Sequence, residues 1–165
     1  VRAIAGDNGN SIWSETWSFT IALDCIFTGT INLQGRDDHN GATFSAGGFS
    51  IDTDAAGDYE LIVPPGTYDL SAEMDRYLDA ERAGETCSLG QTVQLPDVIL
   101  LGGDANDDCT IDILDLAFMG SRFGLGTSDP GFDPAADINA DGTVNIQDLT
   151  LAGGNFHQSC PLVWP

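Results

Sequence analysis

Polar and apolar residues alternate with a period of two through much of the first hundred positions. Trp17, Phe19 and Ile21 alternate with Thr16, Ser18 and Thr20, the mark of a strand with one buried face. Short segments of the same kind follow at 29–33, 42–45, 49–53, 59–63, 67–72, 93–95 and 98–101, separated by turn residues. That spacing predicts a β-sandwich over 24–101. Gly102 and Gly103 then read as a hinge, after which the period changes. Ile113, Leu114, Leu116, Ala117 and Phe123 form one apolar helical stripe, and Ile146, Leu149, Leu151 and Phe156 form a second. Gly120 and the pair Gly153 and Gly154 fall inside the predicted helices, each at about 1 kcal/mol relative to Ala.

The two helices belong to a duplication. Moving 33 positions on carries Asp104 to Asp137, Leu116 to Leu149, Phe118 to Leu151 and Phe123 to Phe156. Each copy opens with a twelve-residue loop carrying oxygen side chains at positions 1, 3, 5, 9 and 12 and a β-branched residue at 8. This is the ligand spacing of a calcium loop, because a short segment supplies the six to eight oxygens of a hard cation only by wrapping round it. The candidate ligands are Asp104, Asn106, Asp108, Asp112 and Asp115 in the first copy, with the main-chain carbonyl of Thr110 at position 7. In the second they are Asp137, Asn139, Asp141, Asn145 and Asp148, with the carbonyl of Thr143. Asp112 and Asn145 would act through a water, and the Asp at position 12 stands where Glu is more usual. Two ions are expected. With glycines in the helices, the repeat is expected to be disordered or molten without them.

Residues 102–161 resemble a type I dockerin, on the Gly103-Asp104 start, the loop, the single helix after it, the linker from Phe132 to Asn139 and the second copy. The resemblance implies a fold formed around two calcium ions, no helix before either loop, and docking onto a cohesin. Two positions depart from the family pattern. Loop position 6, normally Gly, is Cys109 in the first copy. The cohesin-reading positions hold Ile113-Leu114 and Ile146-Gln147, then Gly120-Ser121 and Gly153-Gly154, where cellulosomal dockerins tend to show Ser-Thr and Lys-Arg.

Upstream, the run from Thr53 through Pro64-Pro65-Gly66-Thr67-Tyr68 to Ala72 resembles a carboxypeptidase regulatory-like, or transthyretin-like, domain, which implies a non-catalytic spacer or adhesion module over 24–101. Residues 1–23 resemble the last hairpin of a fibronectin type III domain whose earlier strands would precede Val1. An isolated hairpin with Trp17, Phe19 and Ile21 on one face needs covering, by the next domain or by strand addition to another copy. The fold class expected is therefore mainly β with a small α calcium-binding module: a sandwich at 24–101, then a duplicated loop-helix repeat with EF-hand-type loops at 102–165.

Charge narrows the partners. The chain has 26 acidic residues against five Arg and no Lys, for a formal charge of −21. A nucleic-acid partner is excluded, since no basic patch exists, and no apolar run approaches the roughly 18 residues that span a bilayer, so no membrane insertion is expected. Cys25, Cys87, Cys109 and Cys160 have no zinc or redox spacing. Three pairings are possible; Cys25 with Cys87 would bracket the sandwich, and Cys109 with Cys160 would join the first loop to the chain's end. Disulfides and calcium loops both point outside the cell or to its surface.

His39 and His157 have no nucleophile at a recognisable spacing, the Ser residues lie outside any G-x-S-x-G context, and no phosphate loop appears, so no enzyme is expected. Two functions remain. One is a calcium-stabilised structural protein, a homo-oligomer or polymer that builds a filament or surface layer through the Trp17, Phe19 and Ile21 hairpin. The other is a docking module that binds a cohesin or similar protein. The unpaired hairpin and the unusual docking positions favour the first.

Overall fold

The computed structural model describes residues 24–165. The hairpin expected at 1–23, with Trp17, Phe19 and Ile21, lies outside the described residues. In chain order the elements are β1 (Cys25–Leu33), β2 (Thr43–Ala46), β3 (Phe49–Asp52), β4 (Asp58–Val63), β5 (Gly66–Glu73), β6 (Ala80–Cys87), β7 (Thr92–Gln94), β8 (Val98–Leu100), α1 (Ile113–Gly120), a 3-10 turn (Pro134–Ala136), α2 (Ile146–Gly154) and β9 (Leu162–Val163).

The first sheet is built on β1, whose residues alternate between buried and half-buried along its whole length. On one side β4 pairs with it antiparallel; on the other β7 and β8 pair in parallel, first along Ile26 to Thr28 and then along Ile31 to Leu33. The second sheet runs β3-β2-β5-β6-β9. Between the sheets lie Phe27, Ile31, Leu33, Phe44, Leu61, Val63 and Leu70, all buried. Phe44 stacks on Tyr59 with ring centroids 4.2 Å apart and meets Trp164 edge-on at 5.9 Å. A disulfide joins Cys25 at the start of β1 to Cys87 at the end of β6, tying one sheet to the other across 62 positions. By loop-closure entropy such a link stabilises by about 4 kcal/mol.

Two strands escape the alternation rule. In β6 only the end residues Ala80 and Cys87 are buried, so its sequence shows polar residues and a glycine where a half-buried strand would show apolar ones. Its place is set by antiparallel pairing with β5. The two-residue β9 adds to β6 in parallel and delivers Trp164 into the sandwich core, where the indole N–H donates to the Pro96 carbonyl at 2.8 Å.

The helices correct the sequence reading at both ends. Ile113, Leu114 and Ile146, counted in the apolar stripes and also at the docking positions of the resemblance, sit in the first turns and are 63%, 60% and 65% exposed, and Phe123 lies beyond α1 and is exposed as well. The buried residues of α1 are Asp115 and Met119, and those of α2 are Asp148 and Ala152. The helix core is thus built round carboxylates as well as apolar groups. Gly120 ends α1, and Gly153 and Gly154 end α2, so their helix penalty falls where the helix is finishing anyway.

The hinge expected at Gly102 and Gly103 is instead a packed junction. Both residues are buried, Gly102 bridges to Tyr77, and Gly103 has φ 131° with a Cβ position only 2.6 Å from the Ala152 Cα. Only glycine admits that approach.

Candidate metal centres

Each loop is wound by its own side chains. In the first, Asp104 accepts from the Asp108 N–H at 3.1 Å and the Cys109 N–H at 2.8 Å. Asn106 accepts from Asp108 N–H and Asp108 from Thr110 N–H, each at 3.1 Å. From the helix, Asp115 reaches back to accept from the N–H groups of Asn106 at 3.2 Å and Asp112 at 2.8 Å. The second loop repeats the scheme: Asp137 accepts from Gly142, Asn139 from Asp141, Asp141 from Thr143, and Asp148 from Asn139 and Asn145. The predicted residues at positions 1, 3, 5 and 12 are therefore gathered in both copies, while Thr110 and Thr143 follow immediately on the main chain.

Positions 9 and 12 have a second task. Asp112 and Asn145 are the N-caps of α1 and α2, and with Asp115 and Asp148 at N3 each forms a capping box. One oxygen of each cap residue is occupied by a helix N–H, Leu114 at 2.7 Å and Gln147 at 2.7 Å. That leaves position 9 as a weak or water-linked donor, as the spacing predicts.

Loop position 6 contrasts the two copies. Gly142 has φ 90°, and Cys109 adopts φ 67° with a side chain attached. The left-handed conformation costs a non-glycine residue roughly 1–2 kcal/mol.

The electrostatics fit a hard divalent cation. Asp104, Asp115, Asp137 and Asp148 are all almost fully buried, and Oδ1 of Asp137 has no hydrogen-bond partner. A buried, unpaired carboxylate oxygen is costly unless a cation meets it. Burial pushes the Asp104 carboxyl up to about 6, with Asp115 and Asp108 adding to the rise, and burial likewise raises Asp115 and Asp137. Asp141 is shifted the other way, held down chiefly by the amide of Asn139. The donors are all oxygens, which suits calcium rather than a softer metal.

Residues the sequence did not single out support the second loop from outside. The Arg76 guanidinium donates to the carbonyls of Pro134 at 2.5 Å and Asp137 at 3.2 Å. Tyr77 donates its hydroxyl proton within reach of two carbonyls, Ile138 at 2.9 Å and Gln34 at 3.2 Å. Arg36 donates to Ile138 O at 3.2 Å and lies over the Tyr77 ring. The available signal was scarcity: in a chain with five Arg, two are committed to this one junction.

The remaining candidates fall as follows. The Cys25–Cys87 pairing is formed. Cys109 and Cys160 are not bonded to each other in this structure, and Cys160 Sγ accepts from the Asp79 N–H at 3.3 Å. The two sulfurs and an Asp79 carboxylate oxygen nevertheless lie within 4.8 Å of one another. Burial raises the Cys160 thiol to about 12 and the Asp79 carboxyl to about 6. His39 has a structural task, accepting from the Leu33 N–H at 2.9 Å. Among the described residues no helix is long and apolar enough to cross a membrane.

Comparison with known proteins covers this region and its support. The dockerin type I domain family matches residues 102–152, which span both loops and most of α2. Domains of that family bind calcium and are non-catalytic. No curated protein matches the chain. Two crystal structures of interface mutants, N-terminal and C-terminal, of a type II cohesin-X-dockerin complex from Acetivibrio cellulolyticus each contain a chain of similar fold. The TM-scores are 0.73 and 0.72 at 22% identity, covering 82% of this chain and 97% of the other in both cases. The likeness therefore extends beyond the repeat into the sandwich, as a likeness of fold.

Proposed function

We propose that the chain is a calcium-folded docking module, residues 102–165, rigidly seated on a non-catalytic β-sandwich, residues 24–101, and that its partner is a cohesin or a protein of cohesin type. Asp104, Asn106, Asp108, Asp115 and the Thr110 carbonyl hold one ion, with Asp112 through water. Asp137, Asn139, Asp141, Asp148 and the Thr143 carbonyl hold the other, with Asn145 through water. Each bound cation supplies the positive charge that lets buried carboxylates stay ionised. The ligands' own contribution is to fix the helices: Asp115 and Asp148 belong at once to a loop and to the first turn of a helix, so closing the loop orients the helix start.

The observation that carries the docking reading is what those helix starts present. Ile113 and Ile146 occupy the same register position in the two copies and are both largely exposed, with Leu114 exposed beside the first. The metal loops thus place exposed apolar side chains on the first turn of each helix, where an apolar partner face could meet them. The family match over 102–152 supports the same reading and gives none to self-assembly, whose residues Trp17, Phe19 and Ile21 lie outside the described region. The disulfide and the calcium loops support an extracellular location.

Titration of the purified chain into type I and type II cohesins tests this. Binding to at least one in millimolar calcium, its loss on chelation, and at least a roughly tenfold weakening by Ile113→Asp with Ile146→Asp are expected. A folded, calcium-loaded chain that binds neither and sediments as a polymer would return the self-assembly reading.

A further inference from the structure

Cys109 and Cys160 sit at the one place where the first loop meets the end of the chain. Thr110 and Ser159 form an antiparallel bridge, flanked by Cys160 N–H to Cys109 O at 3.0 Å and Ile111 N–H to Gln158 O at 3.0 Å. The two cysteines are thus the pair next to an isolated antiparallel bridge. Opposed residues of an antiparallel pair have Cα atoms roughly 4.5–5.5 Å apart and a disulfide spans roughly 4.4–6.8 Å, so a position beside such a bridge is one where two cysteines can be joined. Their sulfurs already lie within 4.8 Å of each other.

We propose that these two thiols are oxidised to a second disulfide, and that this link sets how firmly the first loop holds its cation; the second half of the statement rests on the calcium reading above. In the reaction the two thiols lose two protons and two electrons, a Cys109–Cys160 bond forms, and a small-molecule disulfide such as oxidised glutathione is cleaved to two thiols. Bond formation brings the sulfurs from within 4.8 Å to roughly 2 Å and gives up the Asp79 N–H contact. The same chain already carries the Cys25–Cys87 link, so a compartment that oxidises one pair oxidises the other. That is why a disulfide is favoured over a soft metal held by Cys109, Cys160 and Asp79.

The link explains the exception at loop position 6. Cys109 stands in the left-handed conformation that Gly142 supplies without strain in the second copy, and its N–H donates to Asp104. Fastened to Cys160, whose chain continues into β9 and Trp164, the residue is held in that conformation by the sandwich. Reduction leaves a strained residue free to relax and loosens the Asp104 carboxylate with it.

Mass spectrometry of the full chain, alkylated under denaturing conditions without reductant, reads the covalent state directly. No adducts and a linked peptide containing Cys109 and Cys160 are expected. Two adducts would overturn the proposal, as would two thiols freed together with a bound zinc ion. Mild reduction of the folded chain should then expose Cys109 and Cys160 while the buried Cys25 and Cys87 stay joined. Calorimetric titration with calcium should show one of two sites weakened by roughly tenfold on reduction. Cys109→Ser with Cys160→Ser should reproduce the weakening and be insensitive to reductant; Cys109→Gly with Cys160→Ser should regain affinity and be equally insensitive. A linked chain whose calcium isotherm ignores reduction would overturn the coupling while leaving the link standing. Since the mass measurement needs no calcium, its failure is distinct from failure of the docking module itself.

Discussion

At the scale of single residues, the acidic side chains are in conflict until a cation arrives. Asp137 buries an oxygen with no partner, and Asp104 and Asp79 hold their protons up to about 6 against an ordinary 3.8. A raised folded value means stability that is complete below the unfolded value and lost as pH rises through the folded one. Without calcium the melting temperature is therefore expected to fall between about pH 4 and about pH 7. With millimolar calcium it should rise over the same interval, because ions bind the deprotonated loops. Differential scanning fluorimetry in both conditions checks the sign. Removing the charge permanently gives a cleaner count: Asp104→Asn and Asp137→Asn should each reduce calorimetric stoichiometry from two ions to one, and a stoichiometry left at two would remove the position 1 assignment.

At the scale of elements, legibility followed how much of an element's identity resides in its own side chains. The loops were legible because ligand spacing is a local chemical demand, and both capping boxes use the same residues. Strand β4 and the second half of β1, from Gly29 to Leu33, were legible because one face of each is buried. The β6 strand was hidden because its partner, rather than its own pattern, holds it, and β9 because two residues have no period. Ile113 and Ile146 were counted in the apolar stripes because apolar spacing cannot distinguish a core face from an exposed one, whereas the dockerin resemblance put them at docking positions. Gly102 and Gly103 were read as flexible when their lack of side chains serves packing. Gly103→Ala tests the last point. A Cβ would sit 2.6 Å from the Ala152 main chain at φ 131°, so a loss of about 2–3 kcal/mol is expected in chemical denaturation. A change of less than about 0.5 kcal/mol, the size of a surface substitution, would restore the hinge.

At the scale of the molecule, sandwich and repeat are joined by polar contacts that depend on the metal loops holding their shape. The turn between β5 and β6 gives Arg76 and Tyr77 to the second loop and takes its own support from the first, since Arg76 N–H donates to Asp107 at 2.5 Å. The Arg76 carbonyl accepts from the N–H groups of Gly103 and Asp104, and Asn155 after α2 donates to Gln34 after β1 and to the Gly102 carbonyl. Trp164, just after β9, is buried in the sandwich core against Phe44. These acceptors are main-chain carbonyls of Pro134, Asp137 and Ile138, whose directions are fixed only while the second loop is closed. Loss of calcium should therefore reach the sandwich through this turn. Amide hydrogen exchange is expected to accelerate on chelation at Tyr77 and Leu78 and through the loops, while the β4 amides and those of β1 from Cys25 to Thr30, which pair with β4, keep their protection. Tyr77→Phe should lower global stability by about 1 kcal/mol in calcium by removing one of the two hydrogen bonds to the Ile138 carbonyl and leaving Arg36 as its remaining donor, and by much less after chelation, when that carbonyl is free to turn to water. Equal losses in both conditions would mean that the junction is independent of the metal, and that the sandwich is a passive spacer rather than a support for the docking face.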